Sequence, residues 1–151
     1  IGWFCGHPRI VQALADVKDN SDSGQFIAVQ KAAIAALDDP EIPRHTREKY
    51  HRRLEKLVTM LQRCGFSCEM PGGTYFLYTP APKGAEGGPS FENGEAASQY
   101  LIREHSICTV PWDDAGPYLR FSVTYEAADE QAEDALMATA EERLCTIRPV
   151  F

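Results

Sequence analysis

The stretch Tyr118-Leu119-Arg120-Phe121-Ser122-Val123-Thr124 constrains this chain more than any other. Its alternation predicts a strand with Leu119, Phe121 and Val123 on one face and Arg120, Ser122 and Thr124 on the other. Gly116-Pro117 punctuates its start, and Glu126 to Glu130 lead into a helix just after it. An arginine between aromatics inside a strand needs a partner, and its planar fork suits a carboxylate met head-on. Either the chain supplies that carboxylate or a ligand does. An edge-strand arginine reaching solvent or a neighbouring Asp is the alternative.

With 151 residues the chain is long enough for a sizeable core. The net charge of −7 and the lack of a basic run argue against a nucleic-acid partner. No stretch approaches the ~18 apolar residues of a membrane span. Ile1-Gly2-Trp3-Phe4-Cys5-Gly6 has neither an initiator Met nor a signal-peptide pattern, and reads as a cut inside a larger protein. Five cysteines form no regular framework, and Cys64 and Cys68 have no second pair to complete a metal site. The expectation is no metal, and reduced thiols in a cytoplasmic protein.

Taken in order, His7-Pro8 begins a helix to about Asp19, with His7 as a cap-region residue. Asn20 to Gly24 is a polar break, and Gln25 to Leu37 an alanine-rich helix suited to burial in a larger body or against a second subunit. Arg44 to Cys64 is a long amphipathic helix with Tyr50, Leu54, Leu57, Val58 and Leu61 inward and Arg52, Arg53 and Lys56 outward. Gly65 caps it, and a strand at Phe66 to Glu69 is expected next. Thr74 to Thr79 is an aromatic strand, and Pro80 to Pro89 reads as a flexible surface loop. A helix from Asn93 to about His105, a strand at Ile107 to Val110, the Arg120 strand and a helix from about Ala128 to Cys145 complete the chain. The fold class is α+β. A two-layer small domain, with a sheet of three or four strands and helices on one face, follows two helices that belong elsewhere.

In this order the motifs resemble the C-terminal part of a class I/II aminotransferase, a pyridoxal-phosphate enzyme of fold type I. Ile1 to Gly6 resembles the family segment just after a phosphate-binding arginine, and Gln30 the family's glutamine on an alanine-rich helix. Pro71-Gly72-Gly73-Thr74-Tyr75-Phe76 is similar to the family's Pro-x-Gly-Thr/Ala-aromatic strand. Val110-Pro111 with Tyr118 to Ser122 resembles its closing loop and Tyr-Val/Leu-Arg-Phe/Ile-Ser strand. Within the class, Asp22-Ser23-Gly24 loosely resembles the diaminopimelate and related aspartate/alanine aminotransferases.

The resemblance implies that Arg120 binds the substrate α-carboxylate, and that Ser23 and Gly24 approach the cofactor phosphate across a homodimer interface. A helix cap at Ser23 is an alternative compatible with this. It implies amino-acid and 2-oxo-acid substrates, and places residues 1–40 in the large cofactor-binding domain and 41–151 in the small domain. The family's Pro-Gly-x-x-Phe-Gly loop is replaced by Pro111-Trp112-Asp113-Asp114-Ala115-Gly116, near the substrate in relatives, with altered side-chain preference as the implied result. None of Lys18, Lys31, Lys49, Lys56 or Lys83 sits in the family's Ser-x-x-Lys context, so the chain alone is expected to be inactive. A carbon–sulfur lyase on the same scaffold and a non-catalytic carboxylate-binding or dimerisation module are the alternatives.

Overall fold

The computed structural model describes residues 1–151, which divide into two units, Ile1–His45 and Thr46–Phe151. The first unit holds α1 (Pro8–Ser21), α2 (Ile27–Asp38) and the start of α3 (Glu41–Arg63). His7 is the N-cap of α1, its Nδ1 accepting from the Arg9 amide at 3.3 Å, with Pro8 pre-set for the first helical position. α3 starts earlier than the proline spacing implies, because Pro43 lies in its first turn, where no amide donor is required. Neither α1 nor α2 buries a residue within its unit, leaving Ile10, Val17, Phe26, Ile27, Ile34 and Leu37 exposed.

The second unit is α+β. Its three-stranded antiparallel sheet has the order β1 (Phe76–Pro80), β4 (Tyr118–Ser122), β3 (Val110–Pro111). α4 (Gly94–His105) precedes β3, and α5 (Glu130–Leu144) follows β4. Asn93 and Asp129 cap these helices, accepting from the Ala96 and Ala132 amides, each at 2.8 Å. Alternation along β4 buries Leu119 and Phe121, with Val123 just beyond it. These join Leu77, the Leu54, Leu57, Val58 and Leu61 stripe of α3, Ala97 and Leu101 of α4, and Leu144 in one core.

Three expectations are corrected. No strand forms at Phe66 to Glu69. The Phe66 amide donates to the Leu61 carbonyl and Gly65, at φ +87°, donates to Gln62, closing α3 in a left-handed turn. The Cys68 carbonyl is also taken, by Gln62 Nε2 at 2.8 Å, so little ladder capacity remains. Pro80 to Pro89 is not a loose loop: it contains β2 (Gly84–Ala85), paired with β5 (Pro149–Val150), and buries Ala81, Pro82, Gly84 and Ala85. The thiols are not all reduced. Cys64 and Cys145, at the ends of α3 and α5, form a disulfide across 81 residues, leaving Cys5, Cys68 and Cys108 free.

Alkylation in denaturant without reductant is expected to label three cysteines, rising to five after reduction. Cys145→Ser is expected to lower the unfolding free energy by about 2–4 kcal/mol, as is typical for a native cross-link. Five labelled cysteines in the unreduced protein would refute the disulfide.

Candidate functional site

Arg120 sits at the middle of the middle strand, in register with Tyr78 of β1 and Val110 of β3. Core packing of Leu119 and Phe121 forces the arginine to the other sheet face. There its guanidinium carbon lies 4.2 Å from the Phe76 ring centroid and 5.2 Å from that of Trp112. Trp112 in turn meets Tyr78 edge-on, at 5.9 Å between centroids. Arg120 makes no ion pair within the chain, and its Nε is buried without a hydrogen-bond partner. The chain therefore supplies no carboxylate to Arg120. A half-buried guanidinium, steadied by two rings and without an anion from its own chain, keeps donors that a carboxylate could take.

The turn beside it is tight. The Trp112 amide donates to the Tyr118 carbonyl at 2.9 Å, and the Gly116 amide to the Asp113 carbonyl at 3.1 Å. Asp113 faces α4: its carboxylate accepts from the Gly94 and Glu95 amides at 2.7 and 3.0 Å. Asp114 is exposed.

A second charged cluster centres on Glu133. Arg53, expected outward, is 2 % exposed. Its Nε donates to Glu133 at 2.6 Å and its Nη1 to the Val123 and Tyr125 carbonyls at 3.1 and 2.6 Å. Arg52 and Lys56 also approach the Glu133 carboxylate, at 3.2 and 3.7 Å. Burial pushes the Glu133 carboxyl up, but hydrogen bonds from Arg53 and Arg52 outweigh it and leave the pKa lowered. The spacing Tyr50, Arg53, Leu57, Met60 places Arg53 on the inward stripe, a signal available in the sequence. Its partner lies 80 residues on, which no local pattern indicates. Arg53 thus ties α3 to the chain leaving the Arg120 strand. Burial also pushes the Cys68 thiol up, where the side chain packs against the core.

Ser23 and Gly24 lie in the other unit, in the exposed link before α2. Ser23 caps no amide: the N-cap of α2 is Phe26, which makes no side-chain cap bond. Amides from Ser23 to Ala28 make no backbone hydrogen bond, since the helical pattern begins with Val29 donating to Phe26. A hydroxyl beside uncapped amides fits a phosphate group.

The family model "Aminotransferase class I and II" matches residues 1–137. The chain belongs to this family. The LL-diaminopimelate aminotransferase of Methanococcus maripaludis is 45% identical over 156 residues, covering 100% of this chain and 38% of that protein. The one from Methanocaldococcus jannaschii is 51% identical over 130 residues, covering 86% of this chain and 31% of that protein. A crystal structure of the aspartate aminotransferase from Rhizobium meliloti superposes with a TM-score of 0.75 at 21% identity. That likeness covers 93% of this chain and 35% of that one, and it shows a shared fold. This member of the aminotransferase family thus spans about a third of the length of the relatives it matches.

Proposed function

We propose that this chain is the C-terminal part of a pyridoxal-phosphate aminotransferase, in which Arg120 binds the α-carboxylate of an amino acid or 2-oxo acid. The observation that carries the reading is the Arg120 guanidinium, steadied on Phe76 and Trp112 with no anion from its own chain. When bound, pyridoxal phosphate supplies an electron sink for the substrate α-carbon. Arg120 orients the substrate by its carboxylate, and the two rings restrict the directions in which the fork can point. Ser23 and Gly24 would hold the cofactor phosphate through the Ser23 hydroxyl and the free amides before α2.

Residues 1–40 belong to the large cofactor-binding domain and 41–151 to the small domain. The uncovered apolar residues of α1 and α2 support this, as they suit packing in a larger body and a homodimer. LL-diaminopimelate is the amino acid, on the named activity of the relatives. The lysine this chemistry requires is not one of the five in the chain, so the chain by itself transfers nothing. The compartment assigned is the cytoplasm. Three free thiols agree with that, and the Cys64–Cys145 disulfide is the feature against it.

Spectrophotometric titration of the complete protein with pyridoxal phosphate tests the reading. Ser23→Asp is expected to weaken cofactor binding at least tenfold, because it sets a carboxylate against the phosphate. Unchanged cofactor affinity would remove Ser23 and Gly24 from the phosphate site. Absence of amino transfer from LL-diaminopimelate to any 2-oxo acid would remove the substrate assignment.

A further inference from the structure

The turn between β3 and β4 does more than connect two strands. Trp112 ends at the Arg120 guanidinium, and the residue after it, Asp113, is bonded by both carboxylate oxygens to the first amides of α4. Two amides on one carboxylate hold it far more tightly than a single bond to solvent-exposed backbone. α4 is a fixed anchor, because buried Ser98 donates to the Thr109 carbonyl at 3.0 Å and accepts from the Thr109 hydroxyl at 3.0 Å, just before β3. The approach also requires a glycine at the helix start. A Cβ on Gly94 would lie 2.9 Å from both Asp113 Oδ1 and the Tyr118 carbonyl.

The geometry points to Trp112 and Asp113 as positioning residues for substrate-carboxylate binding. Asp113, locked to α4, fixes the turn, and the turn holds Trp112 against the Arg120 fork. Asp113 therefore contributes without touching substrate, and Trp112 acts through the arginine. A guanidinium held against an aromatic ring keeps its plane when the anion leaves, so less ordering is required when the next one binds. The inference rests on the reading of Arg120 as the carboxylate-binding residue.

The test uses the complete, cofactor-loaded protein and two readouts. One is the KM and kcat for LL-diaminopimelate. The other is calorimetric binding of pimelate, which has the same skeleton without amino groups and cannot react. Trp112→Ala is expected to raise the KM and the pimelate dissociation constant about tenfold with kcat nearly unchanged, and Trp112→Phe to restore most of the loss. Asp113→Ala and Gly94→Ala, which release the turn in different ways, are expected to raise both constants several-fold, and Asp113→Asn to do so less. Asp129→Ala removes the N-cap of α5, a carboxylate that accepts one amide bond at a different helix start, and serves as the control for a purely structural effect. It should lower thermal stability and leave both constants where they were. If Trp112→Ala and Asp113→Ala bind like the parent while Arg120→Gln does not, the positioning role is wrong and the carboxylate site survives. If Arg120→Gln also binds pimelate normally, both readings fall together.

Discussion

Arg120→Gln in the complete protein is expected to weaken carboxylate binding by about 10²–10³-fold, the equivalent of losing a desolvated, charge-assisted pair worth roughly 3–4 kcal/mol. The effect is large because no second cation of this chain is found at the Arg120 guanidinium. The chain offers Arg120 no ion pair of its own, and the residues against its guanidinium are rings. Arg120→Lys keeps a positive charge but loses the two parallel donors and the flat surface that rests on Phe76 and Trp112, so about a tenfold to hundredfold loss remains. Binding of pimelate by the purified variants measures both. A lysine variant that binds like the parent would mean that charge alone suffices and that the planar fork is not used. Neither change should unfold the protein, since the side chain is half-buried and leaves no charged partner behind.

Glu133→Ala should produce the largest loss of stability, about 3–5 kcal/mol, read as a fall in the denaturant midpoint. The mutation strands Arg53, whose side chain is 2 % exposed and has no water to turn to. Two of its bonds, to the Val123 and Tyr125 carbonyls, would persist, but the opposing carboxylate would be gone. Replacing Arg53 and Glu133 together with apolar residues of similar volume should be far milder than either single change. The same carboxylate sets an acid limit. Its pKa is lowered in the folded protein, so its stabilisation is fully present above the ordinary carboxylate value of 4.5 and is lost as pH falls through the folded value. Glu133→Gln should remove that acid-dependent step from a plot of unfolding free energy against pH. A step of undiminished size in the glutamine variant would assign it to other carboxylates.

The parts of the fold written in short-range chemistry are legible in the amino-acid sequence. His7, Asn93 and Asp129 stand at helix starts because their side chains can accept from an amide two or three residues on. Gly65 marks the end of α3 because the chain there needs a positive φ. The alternation around Arg120 puts the right residues in the core, since a pleated strand has only two faces. The features that escape such a reading depend on partners distant in the chain. The burial of Arg53 becomes favourable only when Glu133 arrives from α5, and Cys64 becomes half of a disulfide only when α5 ends beside α3. β2 and β5 are two residues each, too short to show any period. The ring-lined setting of Arg120 depends on the register of β4 with β1 and on the turn after β3, neither of which can be counted along the chain.

The bond between Cys64 and Cys145 also changes what a break in the backbone means. Everything from β1 to α5, including Arg120, lies inside the covalent ring that it closes. A single cut within that ring, for instance after exposed Lys83, opens the circle but releases no piece. On a denaturing gel without reductant the nicked chain should run as one species, and with reductant as two. Peptide-bond integrity and molecular integrity are thus separate properties over this half of the protein, and thiols in the surrounding medium decide whether the two coincide.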